Sequence, residues 1–186
     1  MAAGDLTVLA DAKLWLGIVP NTDDATLTRL ITAASVFVAN YVGRSIPSQA
    51  YVERRNGSGG RVMVTKNRPI TAVSSLVIDS KSIPLSADNA VLQSGYGFDD
   101  SKIWLVGYSF SHAIGNVVLS YTAGYTTVPL DVAQACIDLV ALKYRGKGRI
   151  GETSKNINGM VVSYSTKDMT DEIRVVLDNY KQVAIV

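Results

Sequence analysis

His112 is the only histidine in the chain, so any histidine-dependent chemistry must run through that one ring. A metal site built on two histidines is impossible, and a Ser-His-Asp or Cys-His nucleophile would have to use His112. It lies in SFSHAIGN, which reads as a turn between strands, and no G-x-S-x-G elbow exists to present a serine. Residues Gly146 to Gly151 spell G-x-G-x-x-G. Dinucleotide binding needs a strand before that motif and a helix after it, because the helix N-terminus holds the pyrophosphate. Here a helical pattern precedes and a polar loop follows, so the dinucleotide reading is rejected. Asp99-Asp100 and Asp23-Asp24 are paired carboxylates. The second pair belongs to a helix start. The first follows Gly95-Tyr96-Gly97-Phe98 in a turn, with too few convergent oxygens for magnesium or calcium. Tyr121 and Tyr125 lack the sheet motif with which RNA-binding modules stack bases, and packing is the better account of them. The chain is therefore expected to have no catalytic residue, no cofactor and no metal, and not to be an enzyme.

Bulk composition points the same way. The chain has 186 residues, enough for one domain or one core with an extension. Charged residues make up 18%, below the usual quarter or so, and mean hydropathy is +0.17. Apolar surface beyond the needs of one core suggests faces that meet other subunits. Net charge is only +2, but it is unevenly spread. Arg54, Arg55, Arg61, Lys66 and Arg68 stand against Glu53, and Lys143, Arg145, Lys147, Arg149 and Lys155 against Glu152. Such patches track phosphate or meet an acidic partner, although solvated loops look the same. The single cysteine, Cys136, excludes an internal disulfide and falls inside an apolar helical pattern. MAAGDLTV has neither the basic nor the apolar region of a secretory signal, and no run of 18 apolar residues suggests a membrane span.

The elements that would carry these residues follow from periodicity. A short helix is expected over 8–16, with Leu9, Ala12, Leu16 and Trp15 on one side and Gly17 as its stop. A second helix is expected after Thr22 as N-cap, with Leu27, Leu30, Ile31, Ala34, Phe37, Val38 and Tyr41 at helical spacing and Gly43 at its end. Residues 50–125 then change to short β-rich runs. Tyr51–Arg55 and Arg61–Thr65 flank Asn56–Gly60, which reads as a hairpin loop. Ile70–Asp79, Ala90–Gln93, Ile103–Val106 and Val117–Thr122 are further strands, giving four to six in one sheet or a small sandwich. Pro129 opens a helix whose buried face is Val132, Ala135, Cys136, Leu139, Val140 and Tyr144. A polar loop over 146–168 contains Met160–Tyr164, a segment able to pair as a strand or reach a neighbour. Thr170 caps the last helix, and its stripe is Ile173, Val176, Leu177, Tyr180 and Val183. The long tether favours docking of this stripe, with Ile185, on a partner or neighbouring subunit.

The order of these segments resembles the head–tail connector (adaptor) proteins of tailed bacteriophages. LTVLADAKLWLGI and DDATLTRLITAASVFVANYVGR are similar to that family's N-terminal helix pair, and GGRVMVTKNRPITAVSSLVID to its central β part. GNVVLSYTAGYTTVPLDVAQACIDLVALKYR is similar to its strand-to-helix core, and RIGETSKNINGMVVSYSTKDMTDEIRVVLDNYK to its C-terminal arm. None of these is a catalytic signature; their specificity lies in co-occurring in order. The long polar GETSKNING loop departs from the pattern and leaves the arm's geometry open.

The resemblance implies an α+β fold, with a helical bundle core, a central antiparallel β region and a C-terminal helical arm. The core would span 1–145, with the helix pair at 7–43, the β region at 50–125 and the core helix at 129–145; the loop and arm would span 146–186. It implies a structural virion protein, assembled in the bacterial cytoplasm as a ring, usually dodecameric, beneath the portal protein. Its partners would be the portal protein, the next neck or tail protein, further copies of itself and, transiently, passing viral DNA, with no membrane. Arg54, Arg55 and Arg61 would line the channel or contact a neighbour. A stopper or tail terminator is the runner-up, followed by a non-specific DNA-binding module.

Overall fold

The computed structural model describes residues 4–86, 93–148, 154–157, 160–163 and 169–181. Contacts divide the chain into two compact units, 1–44 with 128–184, and 45–127 with 185–186. The first is helical and the second is β. The fold is thus mixed α+β, with four helices and two antiparallel sheets besides a small ribbon among the described residues. A helical bundle as the core of the chain is not what forms. The β unit has a hydrophobic core of its own, because its strands bury large residues at period two.

In the helical unit, α1 (Leu9–Leu16) ends at Gly17, whose φ of 70° lets the next N–H groups bond back to the helix. Gly17 donates to the Leu14 carbonyl at 3.2 Å and Ile18 to that of Lys13 at 3.0 Å, a Schellman closure. Ala12 is the residue α1 buries, while Trp15, expected inward, is 56% exposed. Helix α2 (Asp24–Val42) begins after Asp23 rather than Thr22 and ends at Gly43 with φ 80°. It buries Leu27, Ile31, Ala34, Ser35, Val38 and Val42. Phe37 turns partly outward, and Ser35 takes an inward place because its hydroxyl is satisfied. That hydroxyl donates to the Ile31 carbonyl at 2.8 Å and accepts from the Leu6 N–H at 3.0 Å. By length and mean hydropathy alone α2 would be long and apolar enough to cross a membrane, although it holds no uninterrupted apolar run of that length. Its buried stripe packs on α3, as that of a core helix does.

Helix α3 (Leu130–Gly146) starts one residue after Pro129. It buries the expected Val132, Ala135, Cys136, Leu139 and Val140, and also Ile137 and Ala141. The wider face reflects neighbours on more than one side, since α1, α2 and α4 all pack on it. Burial pushes the Cys136 thiol up to about 11, so it is a small apolar filler. Helix α4 (Asp171–Asp178) is capped as expected, the Thr170 hydroxyl accepting from the Ile173 N–H at 3.4 Å. Between α3 and α4, β8 (Ser154–Ile157) pairs antiparallel with β9 (Met160–Ser163).

The β unit has a four-stranded sheet in the order β1-β7-β3-β4 and a three-stranded sheet in the order β2-β6-β5. The strands are β1 (Gln49–Gly57), β2 (Val62–Val64), β3 (Ile70–Ile78), β4 (Lys81–Ile83), β5 (Gly95–Phe98), β6 (Lys102–Val106) and β7 (Ala113–Ala123). The expected β1–β2 hairpin does not form. Strand β1 pairs with β7, Arg55 opposite Val117, whereas β2 pairs with β6, Met63 opposite Ile103. The glycine run instead carries the chain from one sheet to the other. A Cβ on Gly57 would lie 1.9 Å from the Ser111 carbonyl oxygen, so only glycine passes there. Gly95–Phe98, read as a turn, is strand β5; Tyr96 and its neighbours pair with β6. The expected strand at 90–93 lies largely outside the described residues. Leu76, Val117, Leu119 and Tyr121 from one sheet and Met63, Tyr96, Ile103 and Leu105 from the other share one hydrophobic cluster.

Candidate docking surfaces

The described residues among those expected to dock the C-terminal helix sit within the helical unit. Ile173 and Leu177 are buried at 4% and 0% exposure, and α4 packs on α3 and α2. Val176 and Tyr180 are half-buried, and Val183 and Ile185 lie outside the described residues. Polar contacts hold this packing at both sides of the helix end. The Tyr180 hydroxyl donates to Asp131 at the start of α3, 2.9 Å from either carboxylate oxygen. The Tyr41 hydroxyl at the end of α2 donates to Asp178 at 2.8 Å. Arg44 donates through Nε to the Tyr180 carbonyl at 3.0 Å. Lys181 lies 4.3 Å over the Tyr41 ring and 3.4 Å from Asp178. The Tyr41 hydrogen bond, with help from Lys181 and Arg174, holds the Asp178 carboxyl below its ordinary value. In this arrangement Ile173 and Leu177 fill the unit's interior, and α4 offers the 66%-exposed Val175 to the outside.

The opposite end of the bundle is tied in a similar way. Asp23, just before α2, accepts from the Tyr144 hydroxyl at 2.7 Å and lies 3.4 Å from the Lys147 ammonium. Lys147 also sits 4.3 Å over the Tyr144 ring. These contacts hold the Asp23 carboxyl low, the tyrosine hydrogen bond being the larger cause. Lys147, part of the second basic patch, therefore closes the α2–α3 pair; Arg149 and Glu152 of that patch lie outside the described residues.

A cleft of about 440 Å³ opens beside α4. Trp15 of α1, Asp138, Ala141, Leu142 and Arg145 of α3, and Thr170, Glu172 and Ile173 at the start of α4 line it. Its lining mixes apolar side chains with the charged Asp138, Arg145 and Glu172. Sequence reasoning placed Trp15 inward and did not find this cleft. No local signal marks it, since Trp15 and Ala12 share helical spacing and only their burial differs.

In the β unit, Arg54, Arg55 and Arg61 have unlike surroundings. Arg55 pairs with Glu53 at 2.6 Å, and the Glu53 side chain is only 12% exposed. Glu53 in turn accepts from the Tyr121 hydroxyl at 2.7 Å, and that oxygen accepts from both nitrogens of Asn67 at 3.2 Å. Burial, then the Glu53 hydrogen bond, pushes the Tyr121 phenol up to about 12. Arg55 thus belongs to a buried-edge network. Arg54 is exposed and reaches the Gly115 carbonyl at 3.5 Å. Arg61 is exposed just before β2. Asp99 accepts from Ser101 and from the Lys102 N–H at 2.8 to 3.0 Å, which makes the Asp99-Asp100 pair a turn device. His112 packs over Gly59, where a Cβ would meet its ring at 2.8 Å.

The family model for "HCP: Head completion protein" matches residues 5–183. The chain belongs to the head completion protein family. This family member also shares its fold with chains in solved structures of gene transfer agent (GTA) particles. A chain in "Neck of empty GTA particle computed with C6 symmetry" is 16% identical with a TM-score of 0.62, over 100% of this chain and 95% of that one. One in "Neck of native GTA particle computed with C12 symmetry" is 17% identical with a TM-score of 0.60, over 100% and 95%. A third, from "Virion of native gene transfer agent (GTA) particle", is 17% identical with a TM-score of 0.60, over 100% and 94%. No curated protein matches the chain.

Proposed function

We propose that this chain is a structural head–tail connector of a tailed-phage-like virion neck, assembled as a ring beneath the portal protein. The family match across residues 5–183 carries this reading. The shared fold with chains of GTA necks, one computed with twelve-fold symmetry, supports the ring and a dodecamer as its size. Exposed apolar side chains support it too: Leu14, Val19 and Leu130 of the helical unit lie largely in the open. In this reading the C-terminal arm, 146–186, docks on the portal, using the outer side of α4 and the segment after it. The next neck or tail protein joins the other face, and DNA passes through the ring without base readout. Arg54 and Arg61 face the channel or a neighbour; Arg55 stays with Glu53. Many modest contacts, closed by symmetry, would supply the ring's stability.

Sedimentation of the full chain, alone and mixed with the portal protein of the same particle, tests this proposal. A co-sedimenting complex of fixed stoichiometry is expected. A monomer that ignores the portal would overturn it.

A further inference from the structure

Asn56-Gly57, at the end of β1, is a dipeptide with a chemistry of its own. The main-chain nitrogen of Gly57 can attack the side-chain carbonyl carbon of Asn56, because glycine has no side chain to hinder the approach. The new C–N bond closes a succinimide, and the side-chain nitrogen leaves as ammonia. Water then opens the ring at either carbonyl, giving aspartate or isoaspartate. The fold cannot avoid the hazard by changing Gly57, since a Cβ there would run into the Ser111 carbonyl.

The structure ties the two reacting groups to different partners. Strands β1 and β7 lose register here. Arg55 stands opposite Val117 and Gly57 opposite Ala113, so Asn56 alone faces Ile114, Gly115 and Asn116. Side-chain amides replace the missing ladder bonds. Asn56 Oδ1 accepts from the Gly115 N–H at 2.7 Å, and Asn116 Oδ1 accepts from the Gly57 N–H at 2.8 Å. The Asn116 amide is itself held, its Nδ2 donating to Asp79 Oδ1 at 2.9 Å and to the Ser111 carbonyl at 3.0 Å. Gly57 is buried against that same carbonyl, which blocks the main-chain rotation that ring closure needs. Asn56 is exposed, so water has access to its side chain.

We propose that Asn56-Gly57 is a self-modification site masked by the Asn56–Gly115 and Asn116–Gly57 hydrogen bonds. While this clasp holds, the site is inert. Opening of this end of the β1–β7 pair frees the Gly57 nitrogen and lets Asn56 turn toward it, and Asn56 is then converted. The product carries a carboxylate beside Arg54, which reaches the same Gly115. In the isoaspartate form the main chain gains a carbon where β1 and β7 are out of register, so the clasp no longer closes in its present geometry. A transient local opening thereby leaves a permanent covalent mark.

Peptide mass spectrometry of the full-length protein, kept in mildly alkaline buffer, tests this by following the amide-to-acid mass gain at Asn56 over time. Asn158-Gly159 is the same dipeptide elsewhere in the chain and calibrates the intrinsic rate in urea. In urea the two asparagines should convert at similar rates. In the native protein Asn56 should convert at least roughly tenfold more slowly than it does in urea. Asn116→Ala removes the acceptor from Gly57, and Asp79→Ala loosens the Asn116 amide. Each should raise the native Asn56 rate several-fold while the far-UV spectrum stays that of the parent. Tyr121→Phe weakens the β unit away from the clasp and should raise the rate much less. Native Asn56 converting as fast as it does in urea overturns the proposal. So does an unchanged rate in both clasp variants, or an equal rise in Tyr121→Phe, which would credit the stability of the whole unit. If Asn116→Ala fails to fold, Asp79→Ala against Tyr121→Phe gives the same contrast. None of these outcomes depends on ring formation.

Discussion

The Tyr180 hydroxyl lies 2.9 Å from both carboxylate oxygens of Asp131, joining the turn after α4 to the first turn of α3. This contact helps decide what the apolar stripe of α4 does. With the helix end held, Ile173 and Leu177 point into the unit that also contains α2 and α3. A hydrogen bond to a charged group contributes more than a neutral one, though exposure reduces it. Tyr180→Phe should destabilise the unit by about 1 kcal/mol. Amide exchange should rise more in α4 than in α2. Equal exchange in the two helices would show that the contact does not hold α4.

Leu177 and Val175 differ by two residues and by environment. Leu177 is 0% exposed and Val175 is 66% exposed. Leu177→Ala should cost about 2–5 kcal/mol, because it removes buried methyl groups and leaves a cavity. Val175→Ala should stay within about 0.5 kcal/mol of the parent. Urea unfolding of the two variants checks the contrast. Equal, small effects would mean that the stripe is not packed inward in solution.

Tyr121 anchors the β unit through its hydroxyl as well as its ring. The ring stacks on Tyr51 with centroids 5.6 Å apart. Tyr121→Phe keeps the ring and deprives Glu53 of its 2.7 Å donor and Asn67 of its acceptor. A loss of about 1–3 kcal/mol is expected, since the partners are left under-satisfied near the core. A urea midpoint equal to that of the parent would remove the network from the account of stability.

Acid should weaken both units. Hydrogen bonds from Tyr144, Ser111 and Tyr41 hold the carboxyls of Asp23, Asp79 and Asp178 below the ordinary value of 3.8. A lowered folded value means that the fold favours the charged form. The stabilisation is then complete above 3.8 and is lost as pH falls through the lower folded values. Urea midpoints should hold from neutrality to about pH 5 and fall steeply below about pH 4. In Asp79→Asn, which loses the Ser111 and Asn116 contacts as ionic ones, the acid decline should be shallower. An unchanged decline would assign the acid sensitivity to other carboxylates.

The sequence by itself determined the helices, because their signals are local. Gly17 and Gly43 stop α1 and α2, Thr170 starts α4, and the α3 face from Val132 to Val140 follows a 3.6-residue period. It also determined the order of segments by which the connector family was recognised. Partner choice belonged to the tertiary structure. Asn56–Gly60 has a hairpin's composition, yet β1 pairs with β7 sixty-two residues away at Arg55–Val117, and β2 with β6. Composition cannot express that choice, since the side chains of β1 suit any strand presenting the right face and register. The stripe of α4 is the same problem in helical form. Spacing shows that Ile173 and Leu177 need cover, and the cover came from α2 and α3. Trp15 poses it again, being 56% exposed where spacing placed it inward. It shares helical spacing with Ala12, and only the neighbours met in the folded unit separate a buried residue from an exposed one.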